Sequence, residues 1–143
     1  MKKIILLLAI MMGLIAGSYA QTLMPNDVPA KISKAFEKSH PKISQVEWNQ
    51  DGANYKASYI VDDKNMAVVY NASGKVMETE KEISLSQLPI AVLKYVNENF
   101  PGEVIKNKVL ITSAKGRSSY EVQIQQQDLA FNSQGKLLQP ETK

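Results

Sequence analysis

Tyr70-Asn71-Ala72-Ser73-Gly74-Lys75-Val76 recurs 61 positions later as Phe131-Asn132-Ser133-Gln134-Gly135-Lys136-Leu137. An aromatic residue, an Asn, a Gly-Lys pair and an aliphatic residue keep their order. An Asn opening a turn and a Gly closing it in the left-handed region are what a type I hairpin turn requires. Neither copy has the Gly-x-x-x-x-Gly-Lys-Ser/Thr pattern of a phosphate loop, so the motif marks structure and not nucleotide binding. Outward from it, Val28-Pro29 returns as Leu88-Pro89, Lys34 as Lys94 and Pro41 as Pro101, all at an offset of 60, and Tyr55 returns as Tyr120. Self-similarity on this scale predicts a duplicated unit, about 26–84 and 86–142, within a single domain over 21–143. The first copy is longer by four residues around Asp62-Asp63-Lys64-Asn65.

Each unit opens with a helix signal. Pro29 and Pro89 suit a first helical turn, where a missing N–H costs nothing, with Asp27 or Ser86 just upstream. Ile32, Ala35 and Phe36 make an apolar stripe that Val92, Tyr95 and Val96 repeat. Pro41 and Pro101 end both helices, because proline disfavours helical geometry in the residue before it. The period then falls to 2. Strands are predicted at about 46–48, 55–61, 66–70 and 76–79, and again at about 108–111, 120–125, 129–131 and 135–138. Tyr120, Val122 and Ile124 face the core, since the opposite choice would bury Glu121, Gln123 and Gln125. By the repeat, Tyr55, Ala57 and Tyr59 also face inward, and Lys56, Ser58 and Ile60 outward. The expected fold class is α+β: a tandem duplication of an α-β4 unit, a mostly antiparallel sheet with both helices packed on one face.

The first 20 residues read differently. Met1-Lys2-Lys3 is a cationic start, an apolar run extends from Ile4 to Ile15, and Ser18 and Ala20 are small at the −3 and −1 positions. This is a secretory signal peptide with its cut between Ala20 and Gln21. Its apolar run spans about 18 Å against roughly 30 Å of hydrocarbon, too short for an anchor. The mature chain is therefore expected in the periplasm or outside the cell, with no membrane insertion. Seventeen basic residues face 14 acidic ones. Lys2 and Lys3 leave with the signal, reducing the balance to +1 and removing the argument for a nucleic-acid partner. There is no cysteine and one histidine, His40, so no disulfide, thiol nucleophile or histidine-rich metal site can be assembled, and no cofactor is expected. Ser39-His40-Pro41-Lys42 satisfies Ser-x-x-Lys but closes a helix instead of opening one, with no Ser-Asp-Asn or Lys-Thr-Gly downstream.

The Val28-Pro29 opening, Phe36 with Pro41, Val46-x-Trp48, Tyr55 and the Asn71-x-x-Gly74-Lys75 turn, with their second copies, resemble the secreted PepSY-like proteins. These are grouped by fold with the beta-lactamase-inhibitor protein. The resemblance implies an open antiparallel sheet built by duplication and a non-enzymatic exported role, with peptidase or hydrolase inhibition supposed for the wider group. The reading is a binding module for an unknown envelope or secreted protein, with Lys56, Ser58, Glu121, Gln123 and Gln125 as candidate contact residues on the open face. The alternative is a small-ligand or ion-binding protein using the groove between the two repeats. Trp48 is expected in the core, and His40 at a helix end near the negative dipole terminus. Asp62, Asp63 and Asn65 could hold a weak Ca²⁺ from a loop, although EF-hand spacing is absent.

Overall fold

The computed structural model describes residues 21–138; the export signal expected at 1–20, with its cleavage boundary, lies outside the described residues. In chain order the elements are β1 (Gln21–Leu23), α1 (Ala30–Ser39), β2 (Glu47–Asp51), β3 (Asn54–Val61), β4 (Lys64–Asn71), β5 (Val76–Glu82), α2 (Ile90–Asn99), β6 (Ile105–Ser113), β7 (Ser118–Ile124) and β8 (Gln127–Asn132), with 3₁₀ turns at Pro25–Asp27 and Leu85–Gln87. The eight strands form one antiparallel sheet in the order β1 to β8, every strand pairing with its sequence neighbours. Both helices cover the same face, as the alternation requires.

Two separate clusters lie under the helices. Ile32 and Phe36 of α1 pack with Trp48, Ala57, Tyr59, Val68 and Tyr70. Val92 and Val96 of α2 pack with Val122, Ile124, Leu129 and Phe131. Tyr55 and Tyr120 are partly buried against their clusters. The inward rows expected from alternation are thus in place, and Trp48 is a core residue.

The prolines act one step earlier than expected. Pro29 and Pro89 are the residues before the helices, with extended ψ near 130° and 140°. The Pro29 carbonyl accepts from Ile32 N–H at 2.8 Å, and that of Pro89 from Val92 N–H at 2.9 Å. The helices end at His40 and Phe100, just before Pro41 and Pro101.

The repeat also has a different phase. The strand expected at 135–138 is reduced, among the described residues, to a bridge between Leu137 and Phe131 and a bond from Leu138 N–H to the Ala130 carbonyl at 2.8 Å. At the other end, β1, which alternation over three residues could not reveal, pairs with β2 through Leu23 and Trp48. The structural unit is strand, 3₁₀ turn, helix and three strands, and β5 belongs to both copies. Its first half closes the first unit, with Val76 opposite Tyr70; its second half opens the next against β6, with Lys81 opposite Leu110.

The four extra residues of the first copy lengthen one hairpin. Tyr59 faces Met66, as Ile124 faces Gln127. In the second copy the chain turns there; in the first, Ile60–Asn65 and Val61–Lys64 add two pairs before Asp62 and Asp63 turn with φ of 50° and 59°. Two successive positive φ values fit a type I′ turn, for which Asp is a tolerated residue.

Tyr70 and Phe131 occupy matching places in the two units. The Tyr70 hydroxyl is buried without a hydrogen-bond partner. Burial, offset in part by the neighbouring Ser39 hydroxyl, raises its pKa above the ordinary tyrosine value. An unpartnered buried hydroxyl is destabilising by about 1 kcal/mol or more. Tyr70→Phe, copying the second unit, is therefore expected to raise stability by about 1 kcal/mol. Tyr59→Phe is expected to lower it, because the Tyr59 hydroxyl lies 3.0 Å from His40 Nε2. Urea midpoints of the two variants, moving in opposite directions, check this.

Candidate functional site

Opposite the helices, strand alternation places a second set of side chains on a face that, among the described residues, no helix covers. Register aligns them in rows across the sheet. Lys56 lies beside Val69, Glu78 and Ser113; Ser58 beside Ala67, Glu80 and Ile111; and Glu82, Val109, Glu121 and Ala130 form a third row. Ala67, Val69, Ile111, Ser113 and Glu78 are buried here although none of the described elements forms a second layer over them. A groove of about 1190 Å³ runs over this side and draws on both units, including Ser58, Glu80, Val109, Gln123 and Asp128.

The carboxylates divide into two kinds. Lys56 Nζ donates to Glu80 Oε2 at 2.7 Å. Glu82 Oε2 accepts from the Asn65 backbone N–H at 3.0 Å and from Asn65 Nδ2 at 2.6 Å. These bonds hold the Glu82 carboxyl below its usual range and brace the longer hairpin. Glu78 and Glu121 have no such donor among the described residues. Glu78 is 7% exposed; burial first, then the charge of Glu80, pushes its carboxyl upwards, against a smaller opposing pull from Lys56. Burial, Asp128 and Glu80 raise Glu121 to about 7, with Lys56 opposing and Glu78 adding a little.

A carboxyl that keeps its proton to higher pH in the native protein than in the unfolded chain favours folding at low pH. Its contribution is full below the ordinary carboxyl value, falls as pH rises towards 7, and changes no further above that. Between about pH 5 and 8 the loss from Glu121 is expected to be about 2 kcal/mol, less than its full shift implies because water reaches part of the group. Glu121→Gln, which mimics the protonated acid, should remove this loss. Urea midpoints of both proteins across that range test it: the difference should grow with pH, and a constant difference would contradict the assignment.

Of the residues expected on this face, Lys56, Ser58, Glu121 and Gln123 converge on the groove, with Gln123 Oε1 accepting from Asn107 Nδ2 at 2.8 Å. Gln125 does not join them. It lies beyond β7 with φ +58° in the two-residue turn to β8, and its carbonyl accepts from Lys106 Nζ at 3.4 Å. The alternation that placed it outward ends at Ile124. Glu78, Glu80 and Asp128 were not singled out from sequence, although Glu78-x-Glu80-x-Glu82 alternates as a strand would; ending that strand at Thr79 concealed the acidic stripe. Asp62, Asp63 and Asn65 do not converge: the two acids form the hairpin turn and the amide serves Glu82. Among the described residues no group of three or more His, Asp or Glu side chains is placed to hold a metal ion, and no helix is long and apolar enough to cross a membrane.

His40 ends α1. Its ring stacks on Phe36 at 4.5 Å and contacts Tyr59 edge-on at 5.1 Å. Its Nδ1 lies 2.8 Å from the Ser39 hydroxyl, which itself donates to the Ala35 and Phe36 carbonyls at 2.9 and 3.1 Å. This serine is part of the helix end, not a free nucleophile.

Fold and face together define a single-layer antiparallel sheet with helices on one side and, on the other, a grooved surface that no described helix covers. The chain belongs to the PepSY-like family, described as beta-lactamase-inhibitor-like, whose model matches residues 18–76 and 54–139. A BLIP-like protein from Bacteroides fragilis is 27% identical, with a TM-score of 0.61 over 82% of this chain and 86% of that one. A DUF2874 family protein from Bacteroides ovatus is 24% identical, with a TM-score of 0.65 over 78% and 84%. A candidate periplasmic protein from Bacteroides eggerthii is 18% identical and shares the fold, with a TM-score of 0.70 over 78% and 86%. No curated protein matches the chain.

Proposed function

We propose that this is an exported, non-catalytic binding module whose uncovered sheet face holds another envelope or secreted protein, in its finer form an inhibitor of a peptidase or hydrolase. The observation that carries the reading is the groove of about 1190 Å³ on the face that no described helix covers, with Ala67 and Val109 in its lining and Lys56, Ser58, Glu121 and Gln123 around them. An apolar centre inside a polar rim is the anatomy of a protein interface. The family description and the BLIP-like relative support the inhibitor form. The first 20 residues support export, and the engaged Ser39 and His40 weigh against hydrolytic chemistry.

The test is capture from envelope extract on immobilised mature protein, followed by titration with the purified partner. Joint alanine replacement of Lys56, Ser58, Glu121 and Gln123 should weaken binding by at least about tenfold, the scale of one lost interface anchor. Lys34→Ala and Lys94→Ala on the helices should leave it unchanged. Equal affinity in all variants would overturn the use of this face. The groove also favours a second reading, a small-ligand or ion-binding protein; a thermal shift produced by a metabolite or metal, with no stoichiometric protein captured, would support that instead.

A further inference from the structure

The export cut leaves two groups that can react with each other on one residue. With 1–20 removed, the chain begins at Gln21, whose new α-amine lies within five-membered-ring reach of its own side-chain carboxamide. An α-amine titrates just below pH 8, so about a tenth of it is the nucleophilic free base at neutral pH. Holding nucleophile and carbonyl on one short tether favours ring closure. In the fold, Gln21 is the exposed first residue of β1, opposite Gln50. The strand is anchored further in: Thr22 Oγ1 donates to Asn49 Oδ1 at 3.3 Å, and Leu23 packs against the first core cluster. The Gln21 carboxamide has no hydrogen-bond partner among the described residues, so nothing there holds it away from the amine.

We propose that Gln21 is a modification site, converted to pyroglutamate once the signal is removed. The amine nitrogen attacks the side-chain Cδ; the N–Cδ bond forms, the Cδ–Nε2 bond breaks, and Nε2 leaves as ammonia with the proton that the amine gives up. No oxidant or co-reactant is needed. The lactam keeps one N–H and loses the positive charge. This goes beyond the proposed function and rests on the export cut within it.

The lactam protects the edge of the sheet. β1 has only three residues, Gln21–Leu23, and a short terminal strand frays. A general aminopeptidase needs a free α-amine and halts before Pro25, so trimming would remove β1 and stop at Met24. The outer edge of β2 would then be bare along Glu47–Asp51, beside the core residue Trp48, and an unpaired edge is a template for aggregation.

The experiment recovers the protein, tagged after Lys143, from its native cells. Amines are methylated in the fresh extract, so that closure during later handling is not counted. The N-terminal tryptic peptide Gln21–Lys31 should be lighter by one ammonia, unmethylated at its α-nitrogen, and open to sequencing only after pyroglutamyl peptidase. A methylated Gln21 amine overturns the lactam and leaves the export cut standing. A first residue other than Gln21 overturns both. Gln21→Glu, whose carboxylate is a poor electrophile, should keep its amine. A general aminopeptidase should trim that variant to Met24 and lower its Tm, while the wild type keeps its mass; equal trimming overturns the protective role.

Discussion

Gly135→Ala is expected to destabilise the protein by about 3 kcal/mol, and Gly74→Ala, its counterpart in the first unit, by only about half as much. Both glycines close the Asn-x-x-Gly-Lys turn with left-handed φ, +79° and +81°, where an alanine costs about 1 kcal/mol. The difference lies in what sits opposite. A methyl at Gly135 would lie 2.8 Å from Ala91 Cβ and 3.2 Å from both Pro89 Cβ and the Val92 nitrogen, all fixed at the start of α2. A methyl at Gly74 meets first the Lys31 Cγ at 3.3 Å, on a side chain that can swing aside. Forcing rigid neighbours apart adds about 1–3 kcal/mol. Urea midpoints at constant m-value measure both losses; equal losses would show that the turn alone matters and that the helix start does not.

Phe36→Ala is expected to cost about 3–5 kcal/mol, a large share of the stability of a domain this size. Phe36 is 2% exposed and touches three rings: it stacks on His40, and meets Trp48 at 5.7 Å and Tyr59 at 5.3 Å edge-on. Truncation leaves a cavity among rings anchored to β2, β3 and the end of α1. Because the two clusters share no buried residue, lost amide protection in native-state hydrogen exchange should concentrate in α1 and β1 to β4, while β7 and β8 keep theirs. Uniform loss across the sheet would mean that the hydrogen-bonded ladder alone makes the domain cooperative.

The parts of this fold legible in sequence are those repeated within it. The paired prolines, the inward rows through Tyr55 and Tyr120, and the two Asn-x-x-Gly-Lys turns each appear twice, so chance is discounted by the copy. Both turns are closed alike: Asn71 Oδ1 accepts from Lys75 N–H at 3.0 Å, and Asn132 Oδ1 from Lys136 N–H at 2.9 Å. Much of what escaped has no periodic signature. Gln21–Leu23 is too short to alternate, and β5 hides its double role because one strand is shared by two units. Gln125 continues the polar row in sequence but falls where the backbone reverses. Of the candidate contact set, four positions were legible because alternation in β3 and β7 is clean. The buried Glu78 and the half-buried Glu80 were not, since their surroundings come from rows contributed by β4 and β6, far away along the chain.

The next-neighbour order of the sheet has a kinetic consequence. No strand waits for a distant partner; the two longest excursions are the helical crossings from β1 to β2 and from β5 to β6. Loop-closure entropy grows only slowly over such spans, and low contact order goes with rapid folding for a β-rich chain. A polypeptide threaded N-terminus first through a translocation pore could zip up in order of emergence, hiding each edge as the next segment arrives and shortening the interval in which a half-made sheet can aggregate.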